Sequence, residues 1–124
     1  MTEIIPYLLY EDVATMLGWL AAAFGFEEVD RFEEADRVAH AEMRLGDARL
    51  MLGDPGGDYH NPTRVGATTQ FLYVYVDDVD AHFEQARAAG AAIDEEPNDK
   101  PYGDRSYSAH DPEGHSWWFA QRLG

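Results

Sequence analysis

His40 and Glu42 are separated by one residue within an alternating segment, Val38-Ala39-His40-Ala41-Glu42-Met43-Arg44. In an extended strand that spacing turns both side chains to one face. An imidazole beside a carboxylate can serve as an acid/base pair or as half of a metal site. Two donors rarely suffice for a metal, so a hydrogen-bonded structural pair is the plainer expectation. The same alternation collects a second group of side chains. Ile5, Tyr7 and Leu9, then Met51, then Phe71, Tyr73 and Tyr75, and finally Trp118 fall on one face of their strands together with His40 and Glu42. Such a lining suits flat or amphipathic organic molecules: aromatic faces stack on rings and attract cations, and tyrosine hydroxyls fix orientation. Its plain alternative is packing, within the fold or in a dimer interface. Arg105 follows Asp104, either as a salt bridge shaping a loop or as a cation at the mouth of a cleft. His60 falls in a turn-rich segment and His82 on the outer face of a helix, where solvent is expected, while His110 and His115 flank a turn. Trp19 and Trp117 read as packing residues.

Composition limits what such a surface can meet. The chain has 124 residues, 45% hydrophobic and 13% aromatic, enough for one globular domain with a real core. It has no cysteine, which removes disulfides, thiolate metal sites and a cysteine nucleophile. Acidic residues number 24 against 9 basic ones, for a formal charge of -15. That charge repels nucleic-acid phosphates and anionic lipid, so neither is expected as a partner, and it favours a cationic or neutral ligand. Thr2-Glu3-Ile4-Ile5-Pro6 lacks a basic region and a long apolar run, so no signal peptide is expected, no run approaches the ~20 apolar residues of a membrane span, and a cytoplasmic location is the default expectation. No nucleophile elbow, phosphate loop, dinucleotide fingerprint or zinc-spaced cluster is present.

The elements that must position these residues can be read from periodicity. Residues 4–10 read as a strand, after which Glu11-Asp12 can cap a helix carrying Val13, Met16, Leu17, Leu20 and Phe24 and stopped at Gly25. Strands are expected over 26–32, 37–45 and 48–52, the last two joined at Gly46-Asp47. Residues 54–67 form a turn-rich linker. The pattern then restarts: a strand over 68–76, a helix capped by Asp77-Asp78 and stopped at Gly90, and strands over 91–95, 105–110 and 115–121, with 98–104 a loop. The halves match, Glu11-Asp12-Val13-Ala14 before Gly25 against Asp77-Asp78-Val79-Asp80 before Gly90. This duplication predicts one α+β domain over 1–124, with βαβββ modules at 1–53 and 68–124 as pseudo-twofold halves enclosing a cleft.

With these features in order, the chain resembles the vicinal-oxygen-chelate superfamily (glyoxalase, bleomycin resistance protein, extradiol dioxygenase) over nearly its whole length. The resemblance rests on Glu11-Asp12-Val13, Phe24-Gly25-Phe26, Val76-Asp77-Asp78-Val79-Asp80, Ala88-Ala89-Gly90-Ala91, and Tyr102-Gly103-Asp104-Arg105 followed by Asp111-Pro112-Glu113-Gly114-His115. It implies the paired βαβββ fold, with curled mixed sheets around a cleft, and a homodimer. It also implies metal donors at three strand positions, which here carry Ile5, Phe71 and Trp118, with Gln70 beside Phe71. Isoleucine, phenylalanine and tryptophan offer no lone pair to a divalent cation. The resemblance is therefore to the metal-free, bleomycin-resistance-like branch, with no cofactor and no catalytic residue. The expected function is capture of an aromatic or cationic small molecule by Tyr7, His40, Glu42, Met51, Phe71, Tyr73, Tyr75, Arg105 and Trp118. A metal-dependent glyoxalase-like lyase or isomerase, or a dioxygenase, is the alternative, and an interaction module whose cleft is filled by its own side chains is a third.

Overall fold

The computed structural model describes residues 1–124 as two compact units, 1–61 and 62–124. In the first, β1 (Tyr7–Leu9) leads through α1 (Val13–Phe24) to β2 (Glu27–Glu34), β3 (Arg37–Leu45) and β4 (Ala48–Gly53). The sheet order is β1-β4-β3-β2, with β1 parallel to β4 and the other neighbours antiparallel. Asp12 caps α1, its carboxylate accepting from the Thr15 amide at 3.1 Å and the Thr15 hydroxyl at 2.7 Å. Gly25 ends the helix at φ 81°, donating to the Ala21 carbonyl at 3.1 Å, a conformation that costs glycine nothing. Val13, Met16, Leu17, Leu20 and Phe24 make one buried stripe, and Ala41, Met43, Leu50 and Leu52 of β3 and β4 are buried with them. Each Leu-sized burial contributes roughly 1.5–3 kcal/mol.

The second unit repeats the plan. After the short α2 (Pro62–Val65) come β5 (Phe71–Tyr75), α3 (Val79–Ala88), β6 (Ala92–Asp99), β7 (Asp104–His110) and β8 (Ser116–Arg122). The order is β5-β8-β7-β6, with β5 parallel to β8. Asp78 caps α3 through the Ala81 amide at 3.1 Å. Val79, Phe83 and Ala86 are buried on the helix, as are Tyr107, Ala109, Trp117 and Phe119 on the strands. Their rings stack in series: Trp117 on Phe119 at 5.9 Å, Phe119 on Tyr107 at 5.5 Å, and Phe83 edge-on to Tyr107 at 5.3 Å. The predicted α+β fold of two βαβββ modules is what the chain adopts, and its two sheets remain open, four strands each.

Three local expectations need correction. β6 continues to Asp99 through Pro97, where the sequence suggested a loop from residue 98. It is an edge strand with register shifts on both sides of Glu95, and an edge tolerates a proline because no neighbour needs its amide. The linker contains the helical turn α2. His82 faces inward: its Nδ1 is hydrogen-bonded to the Tyr107 hydroxyl at 2.6 Å and its ring lies 4.1 Å from that of Phe119. No helix is long and apolar enough to cross a membrane.

Candidate functional site

Each unit presents the sheet face opposite its helix. In the first unit, pairing aligns Tyr7, Met51 and Glu42 in one row across β1, β4 and β3, and Leu9, Gly53 and His40 in the next. Paired residues share a face, so Tyr7, His40, Glu42 and Met51 are brought together. Their bonding differs from the expected histidine–carboxylate pair. The Tyr7 hydroxyl and His40 Nδ1 are hydrogen-bonded at 2.8 Å. Glu42 is instead gripped by both arms of Arg49, at 2.9 and 3.0 Å, and Arg49 also reaches Glu3 at 3.0 Å. Those hydrogen bonds hold the Glu42 carboxyl below its ordinary range and raise the Arg49 guanidinium. Glu42 is thus a poor base, and its partner is the cation two residues before Met51 on the neighbouring strand.

Gly53 sets the Tyr7–His40 contact. A Cβ there would lie 2.6 Å from both Tyr7 Cε1 and Oη. Since the Tyr7 ring is half exposed, it can swing away. Gly53→Ala is expected to change stability by no more than about 1 kcal/mol, the usual scale for a tolerated change, while breaking the Tyr7–His40 bond. An altered His40 ring resonance in NMR, absent from a Tyr7→Phe background, would show it.

In the second unit the rows run Phe71–Ser116–His110, then Tyr73–Trp118–Ser108–Glu95, then Tyr75–Ala120–Ser106–Asn98, and last Arg122–Asp104. Phe71, Tyr73 and Tyr75 are exposed, and the Phe71 and Trp118 rings lie 5.7 Å apart. Asp104 is buried, and its Oδ2 accepts from the Tyr73 hydroxyl at 2.6 Å and the Tyr75 hydroxyl at 2.8 Å. These bonds hold the Asp104 carboxyl below its ordinary range. Desolvation and then Asp104 push the Tyr73 phenol up, and the bond to Asp104 raises Tyr75. Both phenols are therefore locked as donors to one carboxylate. The Arg122 guanidinium lies 3.7 Å from the Tyr75 ring centre, and the Lys100 ammonium 5.5 Å from that of Trp118.

Asp104, Lys100, Glu95 and Arg122 were missed by sequence reading as members of this face. Parity along β7 was the available signal: Asp104, Ser106 and Ser108 share the face of Trp118, and Arg105 cannot. Arg105 in fact lies on the helix side, bonded to Asp80 at 3.0 Å and Asp99 at 3.1 Å. It makes no pair with Asp104 and does not join the aromatic face. His110 pairs with Asp94 at 2.5 Å, and His60 meets the Tyr59 carbonyl at 3.1 Å.

The metal positions implied by the resemblance carry Ile5, Phe71 and Trp118, and the donor chemistry does not fit a divalent ion. No three His, Asp or Glu side chains converge elsewhere to replace them. A depression of about 400 Å³ in the first unit is lined by charged groups such as Glu11, Asp12, Arg31, Glu33, Arg37 and Asp54, and by none of the residues above. Arg37 there closes on Asp54 at 3.0 Å.

Comparison with known proteins gives a consistent result. The family model for the Glyoxalase/Bleomycin resistance protein/Dioxygenase superfamily matches residues 5–119. An uncharacterized protein of Mycobacterium bovis is 34% identical over 122 residues, covering 94% of this chain and 80% of its own. Among solved structures, TioX from Micromonospora sp. ML1 superposes with a TM-score of 0.82 at 34% identity, over 99% of this chain and 100% of that one. The fosfomycin resistance protein FosX from Listeria monocytogenes shares the fold, with a TM-score of 0.72 at 14% identity over 98% of this chain and 93% of its own.

Proposed function

This chain belongs to the Glyoxalase/Bleomycin resistance protein/Dioxygenase superfamily, and we propose that it is a binding protein of that superfamily, capturing a flat aromatic or cationic organic compound without a metal. The observation that carries this reading is the second-unit face, where Phe71, Tyr73, Tyr75 and Trp118 stand side by side on the paired strands β5 and β8. A stacking surface needs fixed rings, and Asp104 fixes two of them by their hydroxyls. The superfamily's resistance proteins, FosX among those with this fold, support a compound of antibiotic type as the ligand. The exposed Phe71, Tyr73 and Tyr75, with Tyr7 and Leu9 on the first unit, also support a homodimer, which light scattering would read directly.

The test is titration of candidate aromatic ligands against tryptophan fluorescence. Binding should quench the wild type, and Trp118→Ala should weaken it by about 1 kcal/mol or more, the worth of one lost stack. Equal affinities in the two proteins would remove this face from consideration. Stoichiometric nickel, zinc, iron or manganese in purified protein would turn the reading toward a metal-dependent lyase, isomerase or dioxygenase.

A further inference from the structure

Ser106 Oγ is fully buried and has no hydrogen-bond partner. Such an orphan is rare, since leaving a hydroxyl dry and unpaired costs about 1–3 kcal/mol. Its surroundings follow from the strand pairing. Ser106 and its row neighbour Ala120 are small, yet both have no exposure. Something larger roofs them. Lys100 starts beside Asp104, whose carbonyl accepts its amide at 2.7 Å, one row to one side of Ser106. Trp118 and Glu95 start one row to the other side. Yet the Lys100 ammonium lies over the Trp118 ring and pairs with the Glu95 carboxylate. The Lys100 side chain therefore passes over the Ser106 row from the β6 side, as the Tyr73 hydroxyl does from the β5 side to reach Asp104, and Asn98, of the Ser106 row, donates to Glu95 Oε1 at 2.8 Å.

Resting on the binding reading above, we infer that this roof is displaceable and that Glu95 holds the place of a ligand's own carboxylate, so that the ligand is a planar aromatic carboxylate. The ring would lie on Trp118, and the carboxylate would pair with the Lys100 ammonium in place of Glu95 and accept a hydrogen bond from the Ser106 hydroxyl. The Glu95 side chain, 40% exposed, can turn to water. The Lys100 ammonium is the group on this face that selects an anion, since the Ser106 hydroxyl can donate or accept. Asp104 and the Tyr73 and Tyr75 hydroxyls satisfy one another, whereas Ser106 has an unused O–H and Lys100 has three donors. The chain's own Lys100 and Arg122 already lie over the Trp118 and Tyr75 rings, which disfavours a cation there.

Calorimetric titration of the full chain with 2-naphthoate and with N-methylquinolinium decides the matter. Wild type should prefer naphthoate. Lys100→Met should weaken naphthoate by roughly tenfold, as expected for a lost charge-assisted bond, and improve the quinolinium. Glu95→Gln should tighten naphthoate several-fold, a gain that a merely structural residue would not produce. Ser106→Ala should weaken naphthoate by about fivefold and raise the melting temperature, because the orphan hydroxyl is gone. Naphthoate affinity unmoved by both Lys100→Met and Glu95→Gln overturns the inference. So does tighter wild-type binding of the quinolinium, which leaves the binding reading intact if Trp118→Ala abolishes it. Binding of neither probe, or binding indifferent to Trp118, overturns the inference and the binding reading together.

Discussion

Asp111→Ala is expected to lower the unfolding free energy by about 3 kcal/mol, measured by urea denaturation, because it strips a buried carboxylate from three donors at once. Asp111 Oδ1 accepts from the Glu113 and His115 amides, each at 3.0 Å, and Oδ2 from the Trp117 indole N–H at 3.1 Å. The first two bonds shape the turn between β7 and β8. The third ties down the indole of Trp117, which has no exposure, and goes with the carboxylate. Asp111→Asn keeps an acceptor oxygen and should lose about half as much, since one of the two oxygens survives. Alanine and wild type unfolding at the same urea concentration would show that these bonds add nothing.

The same contact bears on function. Trp117 and Trp118 point to opposite faces, and a slip of one residue would exchange them. Asp111 holds Trp117 on the helix side, and so turns Trp118 toward Phe71 on the other face. The Asp111→Ala protein should therefore bind aromatic probes less well even where it remains folded.

Local chemistry was legible in the sequence wherever a feature depends on neighbours a few residues away. Asp12 and Asp78 cap their helices, and Gly25 and Gly90 adopt positive φ just past the helix ends, because caps are written in three or four consecutive positions. The repeated plan and the superfamily followed from the order of such signals. What stayed hidden depends on pairing across strands. The distance from Glu42 to Arg49 is seven residues, and only the β3–β4 register reveals that they meet. Asp104 lies 29 and 31 residues from the tyrosines it anchors. Alternation alone placed Tyr73, Tyr75 and Trp118 on one face, but it could not say that their hydroxyls and ring faces already have partners. Arg105 was expected either in a salt bridge with Asp104 or at the cleft mouth, yet adjacent strand residues face opposite ways and it bonds Asp80 instead. The strand expected to end at residue 95 runs on to Asp99, because the sequence does not say which strand is an edge and can carry Pro97.

Gly114→Ala is expected to cost about 2–3 kcal/mol, of which roughly 1–2 is the strain of an L side chain at positive φ and the rest a displaced neighbour. Gly114 has φ 96°, and a Cβ added there would lie 2.5 Å from Thr63 Oγ1 and 2.6 Å from the Thr63 backbone nitrogen. That nitrogen donates to the Glu113 carbonyl at 3.1 Å, so the segment before β5 is tied to the β7–β8 turn through the space that glycine leaves open. A flexible side chain could yield, but backbone cannot do so without losing the bond. Gly103 is the matched control, since it has the same φ of 96° with nothing within 4 Å of its Cβ position. Gly103→Ala should therefore show the strain alone, about 1–2 kcal/mol. The excess at Gly114 measures the close approach, and it should appear with faster amide exchange at Thr63. Equal losses in the two variants, with Thr63 protection unchanged, would show that the α2 segment does not depend on that turn.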